Sequence, residues 1–328
     1  PTWEVEDLRF PHGATGGAFA IDEGEISVII KAGPAVGSPA SLEWFPKGTP
    51  DYVRARVTTV PPDSGLQVRS NYLPETRHLE LTGQIELYET DTLIFALRDP
   101  IRQATAALGA AIEQAGIELQ SGAQVAWSEG YRVGRGCLSG SVKECPNAGP
   151  VLMLESPPLS ELIAGILKPS QNWMTEQLIR TLGAELGEEG SWSEGVAVIS
   201  EFLTEVVGID SLDISLRDGS GLSRYNLVTP RALVRILQYL SSDQNNGAYR
   251  SALATPGEED STLQERLVDL EGRVFAKTGT LSNVTSLSGY LTRDDGSEVI
   301  FSILSNGSGL PSGQVRGAID DIVRILAR

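Results

Sequence analysis

Arg273-Val274-Phe275-Ala276-Lys277-Thr278-Gly279-Thr280-Leu281 opens the stretch that decides the fold. Two further runs follow, Thr285-Ser286-Leu287-Ser288-Gly289-Tyr290-Leu291 and Glu298-Val299-Ile300-Phe301-Ser302-Ile303-Leu304. β-Branched and aromatic residues mark all three as strands, and Asp294-Asp295-Gly296 between the last two is a hairpin signal. A closing helix carries Val315, Ile319, Ile322, Val323 and Leu326 on one face. Upstream, from about residue 151, the texture is helical. Met174, Leu178, Ile179 and Leu182 form one apolar stripe, and Ile199, Phe202, Leu203 and Val206 form another, capped by Ser193 and stopped by Gly208. Thr229-Pro230 supplies an N-cap and a first-turn proline before Leu233, Ile236, Leu237 and Leu240. Helices, then an antiparallel sheet, then a terminal helix predict an α+β domain.

The first hundred residues read instead as β-rich. Strands are predicted at Ala18-Phe19-Ala20-Ile21, Glu25-Ile26-Ser27-Val28-Ile29-Ile30 and Tyr52-Val53-Arg54-Ala55-Arg56-Val57. Two more follow at His78-Leu79-Glu80-Leu81-Thr82-Gly83 and Thr92-Leu93-Ile94-Phe95-Ala96-Leu97. Pro100 begins an amphipathic helix that Gly116 ends, with a short strand at Ile117-Glu118-Leu119 after it. Residues 128–149 form a Gly- and Cys-containing linker.

Composition narrows the chemistry. The 328 residues carry 26 Lys+Arg against 43 Asp+Glu, a formal charge of −17. Such a chain lacks the clustered cations that nucleic acid or an anionic membrane surface requires. Its apolar runs are too short to span a bilayer. With only His12 and His78, a His-rich metal site or a H-E-x-x-H hydrolase is excluded, and a general base falls to Lys, Asp or Glu. No metal or cofactor is implied. Cys137 and Cys145 lie in a Gly/Ser-rich stretch; they read as a local disulfide of an extracytoplasmic protein or as two separate thiols. Glu185, Glu188 and Glu189, and Glu258-Glu259-Asp260, read as solvated faces.

Lys277-Thr278-Gly279-Thr280 sits where a strand meets a hairpin, and Ser170-Gln171-Asn172 stands about a hundred residues earlier at a helix start. An S-x-N alone is expected about once by chance in a chain of this length. The order and setting of the two motifs carry the information. Together with Asp218-Gly219-Ser220-Gly221-Leu222-Ser223-Arg224, Asn226-Leu227-Val228-Thr229-Pro230 and Trp3-Glu4-Val5-Glu6-Asp7-Leu8, they resemble the active-serine penicillin-recognising pattern. The likeness is to low-molecular-mass penicillin-binding proteins that act as D-Ala-D-Ala carboxypeptidases and endopeptidases, in the branch with inserted domains.

That resemblance implies a penicillin-binding-protein/serine β-lactamase-like catalytic domain, peptidoglycan stem peptides as substrate, β-lactams as ligands and a periplasmic or otherwise extracytoplasmic location. It also implies roles. Ser170 relays a proton to the leaving amine, Asn172 hydrogen-bonds the substrate amide, and Lys277 supplies positive field. Thr278 holds the terminal carboxylate, the Thr280 N–H forms half of an oxyanion hole, and Gly279 lets substrate backbone approach. Arg224 is a contact near the carboxylate or a surface turn residue. Asp218-Gly219-Ser220-Gly221 reads as a structural turn. Asp7 meets the amino group of the substrate side chain or is solvated; where the branch has an aromatic after it, this chain has Pro11 and His12. Trp173 walls the cleft or fills core.

The family's nucleophile belongs to S-x-x-K. The five lysines are Lys31, Lys47, Lys143, Lys168 and Lys277, and three residues before them stand Val28, Trp44, Gly140, Gly165 and Val274. The sequence therefore holds no S-x-x-K, and it begins at Pro1. The expectation is a C-terminal portion whose nucleophile lies on an N-terminal fragment, which stays associated as a partner in a nicked enzyme. The expected partition is residues 1–14 in a first inserted domain, 15–98 in a small β-rich domain inside it, 99–150 returning to the first, and 151–328 as an incomplete transpeptidase-like domain. A nucleophile-less peptide-binding module is the alternative. A third reading makes Ser170 itself the nucleophile with Lys277 as its base.

Overall fold

A computed structural model describes residues 2–5, 7–17, 19–46, 53–73, 78–97, 99–118, 155–242 and 246–328. Two compact units divide the chain, one over Trp3–Val133 and the other over Pro1–Thr2 with Gly134–Arg328. Cys137, Cys145 and the 128–149 linker lie outside the described residues.

The first unit is built from β1 (Glu25–Lys31), β2 (Ser41–Phe45), β3 (Val53–Val60), β4 (Gln67–Leu73), β5 (His78–Glu86), β6 (Thr90–Ala96) and helix α1 (Pro100–Gln114). Strands β2-β1-β6 make an antiparallel sheet; β3-β5-β4 make a second, in which β3 and β5 run parallel. In β1, Ile26, Val28 and Ile30 turn inward at every second position, as half-buried strands require. They join Val57, Leu79, Leu81, Ile85 and Phe95 in one core. Asp99 caps α1 by accepting the Arg102 N–H at 3.0 Å.

The second unit holds α2 (Leu159–Leu167), α3 (Asn172–Leu186), α4 (Trp192–Glu201) with a π-helical turn at Phe202–Val206, the two-residue strands β7 (Ile214–Ser215) and β8 (Leu227–Val228), α5 (Pro230–Ser242) and α6 (Asn246–Ala252). Strands β9 (Val274–Leu281), β10 (Val284–Thr292) and β11 (Glu298–Asn306) and helix α7 (Ser312–Leu326) complete it. The sheet runs β11-β10-β9, antiparallel throughout, so β9 is an edge. Leu263, Leu267, Val274, Ala276, Leu287, Leu291 and Phe301 pack with Ile319 and Val323 of α7. Side chains of this size each contribute about 1.5–3 kcal/mol when fully buried. Helices α3 and α4 approach closely because Gly195 has no Cβ: one would stand 1.9 Å from the Ile179 carbonyl oxygen.

Several local expectations need correction. The predicted strand at residues 18–21 does not form over its described positions; the chain instead turns through Asp22, Glu23 and Gly24, all at positive φ. Ile117 and Glu118 are in no strand, and Leu119 is outside the described residues. Ser191, not Ser193, caps α4, taking the Glu194 N–H at 3.2 Å. Ile322 is exposed rather than inward. Strands β2, β4, β7 and β8 were not anticipated: β4 reads Gln-Val-Arg-Ser-Asn-Tyr-Leu, without an alternating apolar face.

Candidate active site

The turn between α2 and α3 carries Ser170. Its φ of 65° is a left-handed conformation that costs a non-glycine residue about 1 kcal/mol or more. The Gln171 N–H closes the turn on the Ile166 carbonyl at 2.9 Å, and the Gln171 side chain caps α3 by accepting the Met174 N–H at 2.7 Å. Asn172 is then the first residue of α3, part-buried beside Ser170.

Strand β9 brings Lys277 to this turn. Its Nζ donates to Ser170 Oγ at 2.7 Å and to the Thr278 carbonyl at 2.9 Å, although Ser170 and Lys277 are 107 residues apart. Among the described residues no carboxylate pairs with this ammonium. Burial therefore acts unopposed and lowers its pKa from the ordinary lysine range to about 8.

The edge geometry of β9 follows from one bond. The Ala276 N–H donates to the Ala254 carbonyl at 3.0 Å, on the side away from β10. Backbone groups alternate sides along a strand, so the N–H groups of Thr278 and Thr280 point off that same edge. Gly279 lies opposite Ser286 of β10, and a Cβ there would stand 2.5 Å from Ser286 Oγ. A side chain there would have to displace the Ser286 hydroxyl, a neighbour the sequence alone does not reveal.

Arg224 reaches the end of β9, where its Nη1 donates to the Ser282 carbonyl at 3.4 Å. The loop that presents it is organised by two buried carboxylates. Asp218 accepts the N–H groups of Gly221 at 2.9 Å and Ser223 at 2.6 Å, and the Asn226 amide at 2.7 Å. This is the geometry of a structural turn. Glu176, fully buried one turn along α3 from Asn172, accepts the Ser220 N–H at 2.7 Å, the Gly219 N–H at 3.3 Å and Trp192 Nε1 at 2.7 Å. Sequence reasoning missed Glu176. Its signal was an acid at the position that shares a face with Asn172, Ile179 and Gly183.

Trp173 places its indole Nε1 out of solvent, with no hydrogen-bond partner among the described residues. Asp7 lies in the first unit, in a short 3₁₀ turn with Leu8 and Arg9, and its carboxylate stands 3.5 Å from His12 Nε2. Among the described residues no three His, Cys, Asp or Glu side chains converge as a metal site would. Among them, too, no helix is long and apolar enough to cross a membrane.

An edge strand bearing a part-buried lysine, hydrogen-bonded to a serine at a helix entrance, is the arrangement of the penicillin-binding-protein class. The fold matches it: a crystal structure of penicillin binding protein 4 from Haemophilus influenzae superposes with a TM-score of 0.77 at 22% identity, covering 100% of this chain and 71% of that one. The same protein complexed with a β-lactam superposes at 0.71, covering 96% and 71% of the two chains at 21% identity. The sequence profile of the D-Ala-D-Ala carboxypeptidase 3 (S13) family matches residues 1–328, and the chain belongs to that family. A D-alanyl-D-alanine carboxypeptidase of an Actinomadura species is 37% identical over 173 residues, 51% of this chain and 31% of the relative. A penicillin-sensitive carboxypeptidase A of Dictyostelium discoideum is 24% identical over 340 residues, 99% of this chain and 62% of the relative. The matched regions thus span between about a third and three fifths of those two relatives.

Proposed function

We propose that this chain is the larger part of a serine-type D-Ala-D-Ala carboxypeptidase/endopeptidase that acts on peptidoglycan stem peptides through an acyl-serine intermediate and binds β-lactams. The observation that carries the reading is the 2.7 Å contact between Lys277 and Ser170 beside the edge strand β9. Because the 328 residues hold no S-x-x-K, the acylating serine is assigned to a segment outside them. Family membership supports the reaction class, and the β-lactam complex of the Haemophilus relative supports the ligand class.

The residues have definite tasks in this scheme. The nucleophilic serine attacks the D-Ala carbonyl and loses its proton to the lysine one helical turn away, and the C–N bond then breaks. The departing amine takes up a proton through Ser170 Oγ, which is replenished from Lys277 Nζ. With a pKa of about 8, Lys277 is about nine-tenths protonated at pH 7, so it serves as both charge and proton reserve. The edge N–H of Thr280 stabilises the oxyanion, Thr278 and Arg224 face the terminal carboxylate, and Asn172 orients the amide. Water then hydrolyses the ester. On the resemblance, Asp7 is assigned to the side-chain amine of the substrate; on their pairing in a Gly/Ser-rich stretch, Cys137 and Cys145 are assigned to a disulfide, and both grounds assign the protein to an extracytoplasmic compartment. On the resemblance, too, residues 1–14 and 99–150 are assigned to one inserted domain, 15–98 to a β-rich domain within it, and 151–328 to the catalytic domain.

The test is fluorescent-penicillin labelling of the native preparation, followed by denatured intact masses of every polypeptide present. Label on a polypeptide segment bearing S-x-x-K is the expected result. Absence of label on any polypeptide would leave a peptide-binding module. Label that Ser170→Ala abolishes completely, rather than slows, would make Ser170 the nucleophile.

A further inference from the structure

The segment that leads into β9 touches both motifs. At one end, the Ala254 carbonyl accepts the Ala276 N–H at 3.0 Å, one residue before Lys277. At the other end, the Thr262 N–H donates to the Lys168 carbonyl at 3.0 Å, two residues before Ser170. Between them Glu258 forms a part-buried ion pair with Lys168 Nζ. The other oxygen of Glu258 accepts the N–H and the hydroxyl of Thr255, both at 3.2 Å. Ser261 Oγ donates to the Glu258 carbonyl at 3.0 Å and accepts the Leu263 N–H at 3.3 Å, so the segment is internally tied. The acidic run at residues 258–260 is therefore not one solvated face. Glu259 and Asp260 are exposed, but Glu258 is turned inward onto Lys168.

This clamp has a mechanical task available to it. Ser170 is a non-glycine residue at φ 65°, a conformation that persists only where the surroundings over-determine it. Lys168 and Pro169 are the two residues that enter that turn, and Lys168 is held by both its carbonyl and its ammonium. We propose that Glu258 is a positioning residue: with Lys168 and Thr255 it fixes the left-handed turn at Ser170 against β9 and so sets the Ser170–Lys277 contact. The proposal rests on the reading of Ser170 and Lys277 given above.

The experiment uses the complete protein, including the segment that bears the acylating serine. Acylation by a fluorescent penicillin is timed for wild type, Glu258→Gln, Lys168→Met, Glu259→Gln, Ser170→Ala and the double variant Ser170→Ala/Glu258→Gln. Glu258→Gln and Lys168→Met are each expected to slow acylation on the order of 10- to 100-fold, the scale of a misplaced reacting group. Glu259→Gln, the same charge change one residue along, is expected to leave the rate unchanged. Glu258→Gln is expected to add no further loss once Ser170 is alanine, because it acts through that hydroxyl. Wild-type rates in Glu258→Gln, or a loss of equal size with and without the Ser170 hydroxyl, would overturn the proposal. A parallel readout needs no turnover: the Lys277 titration followed by its side-chain NMR resonance. It is expected to move in the charge-conserving double variant Lys168→Met/Glu258→Gln, which removes the clamp without leaving a lone cation, and an unmoved titration there overturns the proposal. If the wild type forms no acyl adduct, the functional reading fails by itself, and the titration decides the positioning claim.

Discussion

Replacing Lys277 by methionine should make the protein more stable at neutral pH while removing the proposed chemistry. Burial lowers the Lys277 pKa from 10.5 to about 8. The sign follows from proton counting: the unfolded chain binds more protons than the folded one between those two values, so wild-type stability rises with pH across that window. Below pH 8 the full cost of burying the charge is present. From these two pKa values the cost is about 3.3 kcal/mol at pH 7 and about 0.8 kcal/mol at pH 10. Solvent at the open side of the turn screens part of this, so a relief of about 1–2.5 kcal/mol is expected over that range. Methionine keeps the stem volume and carries no charge, which leaves Ser170 Oγ and the Thr278 carbonyl to water. Denaturant unfolding of wild type and Lys277→Met at pH 7 and pH 10 measures the difference, and titrations common to both chains cancel. The variant should be ahead at pH 7 and nearly level at pH 10. A pH-independent gap, or a variant less stable at pH 7, would refute the claim that burial holds this pKa down.

Gly279→Ala would bring a Cβ to 2.5 Å from Ser286 Oγ, but that hydroxyl can rotate away, so the cost should stay below about 1 kcal/mol and vanish in Gly279→Ala/Ser286→Ala; paired thermal melts check this. Asp320→Asn removes the charge facing Arg266, a nearly buried pair at 2.6 Å between α7 and the segment before β9. A loss of about 2–4 kcal/mol is expected in denaturant titrations, since the guanidinium is left without its counter-ion. Glu176→Ala strips three donors of their acceptor and should cost about 2–4 kcal/mol. It should also speed proteolytic cleavage within residues 217–226, and equal cleavage rates would show that Glu176 does not hold that loop.

Periodicity carried most of the second unit. Three strands, their hairpin and the closing helix were legible because each apolar run has one inward face and a clear turn signal. Strands β2 and β4 were not: β2 is a five-residue run whose inward face is only Leu42 and Trp44, and β4 has no alternating apolar face. The fold class was legible from the order of helices and strands, and the family from two short motifs in the right order with three supporting segments. The supports of the site were not. Glu258 looks like a surface acid in a chain of charge −17, and only tertiary packing separates it from Glu259; Glu176 was marked only by its place on the Ile179 face of α3. Gly279 shows the same limit: its partner, Ser286, is set by sheet register, which no local pattern encodes.

One sequence constraint does reach through to the chemistry. With two histidines, proton transfer near neutral pH falls to a raised carboxylate or a lowered lysine, and for the lysine either a neighbouring cation or burial can supply the shift. Lys168, the other lysine near this turn, is neutralised by Glu258 and adds no net charge beside Lys277. Burial is what remains, and it is the cause that acts on Lys277. A lysine lowered by a neighbouring cation loses its shift as salt screens the pair, whereas a desolvated one does not. The Lys277 titration should therefore hold its midpoint between low and high ionic strength. A midpoint that climbs toward 10.5 on adding salt would mean that repulsion from a cation, rather than exclusion of water, tunes this site.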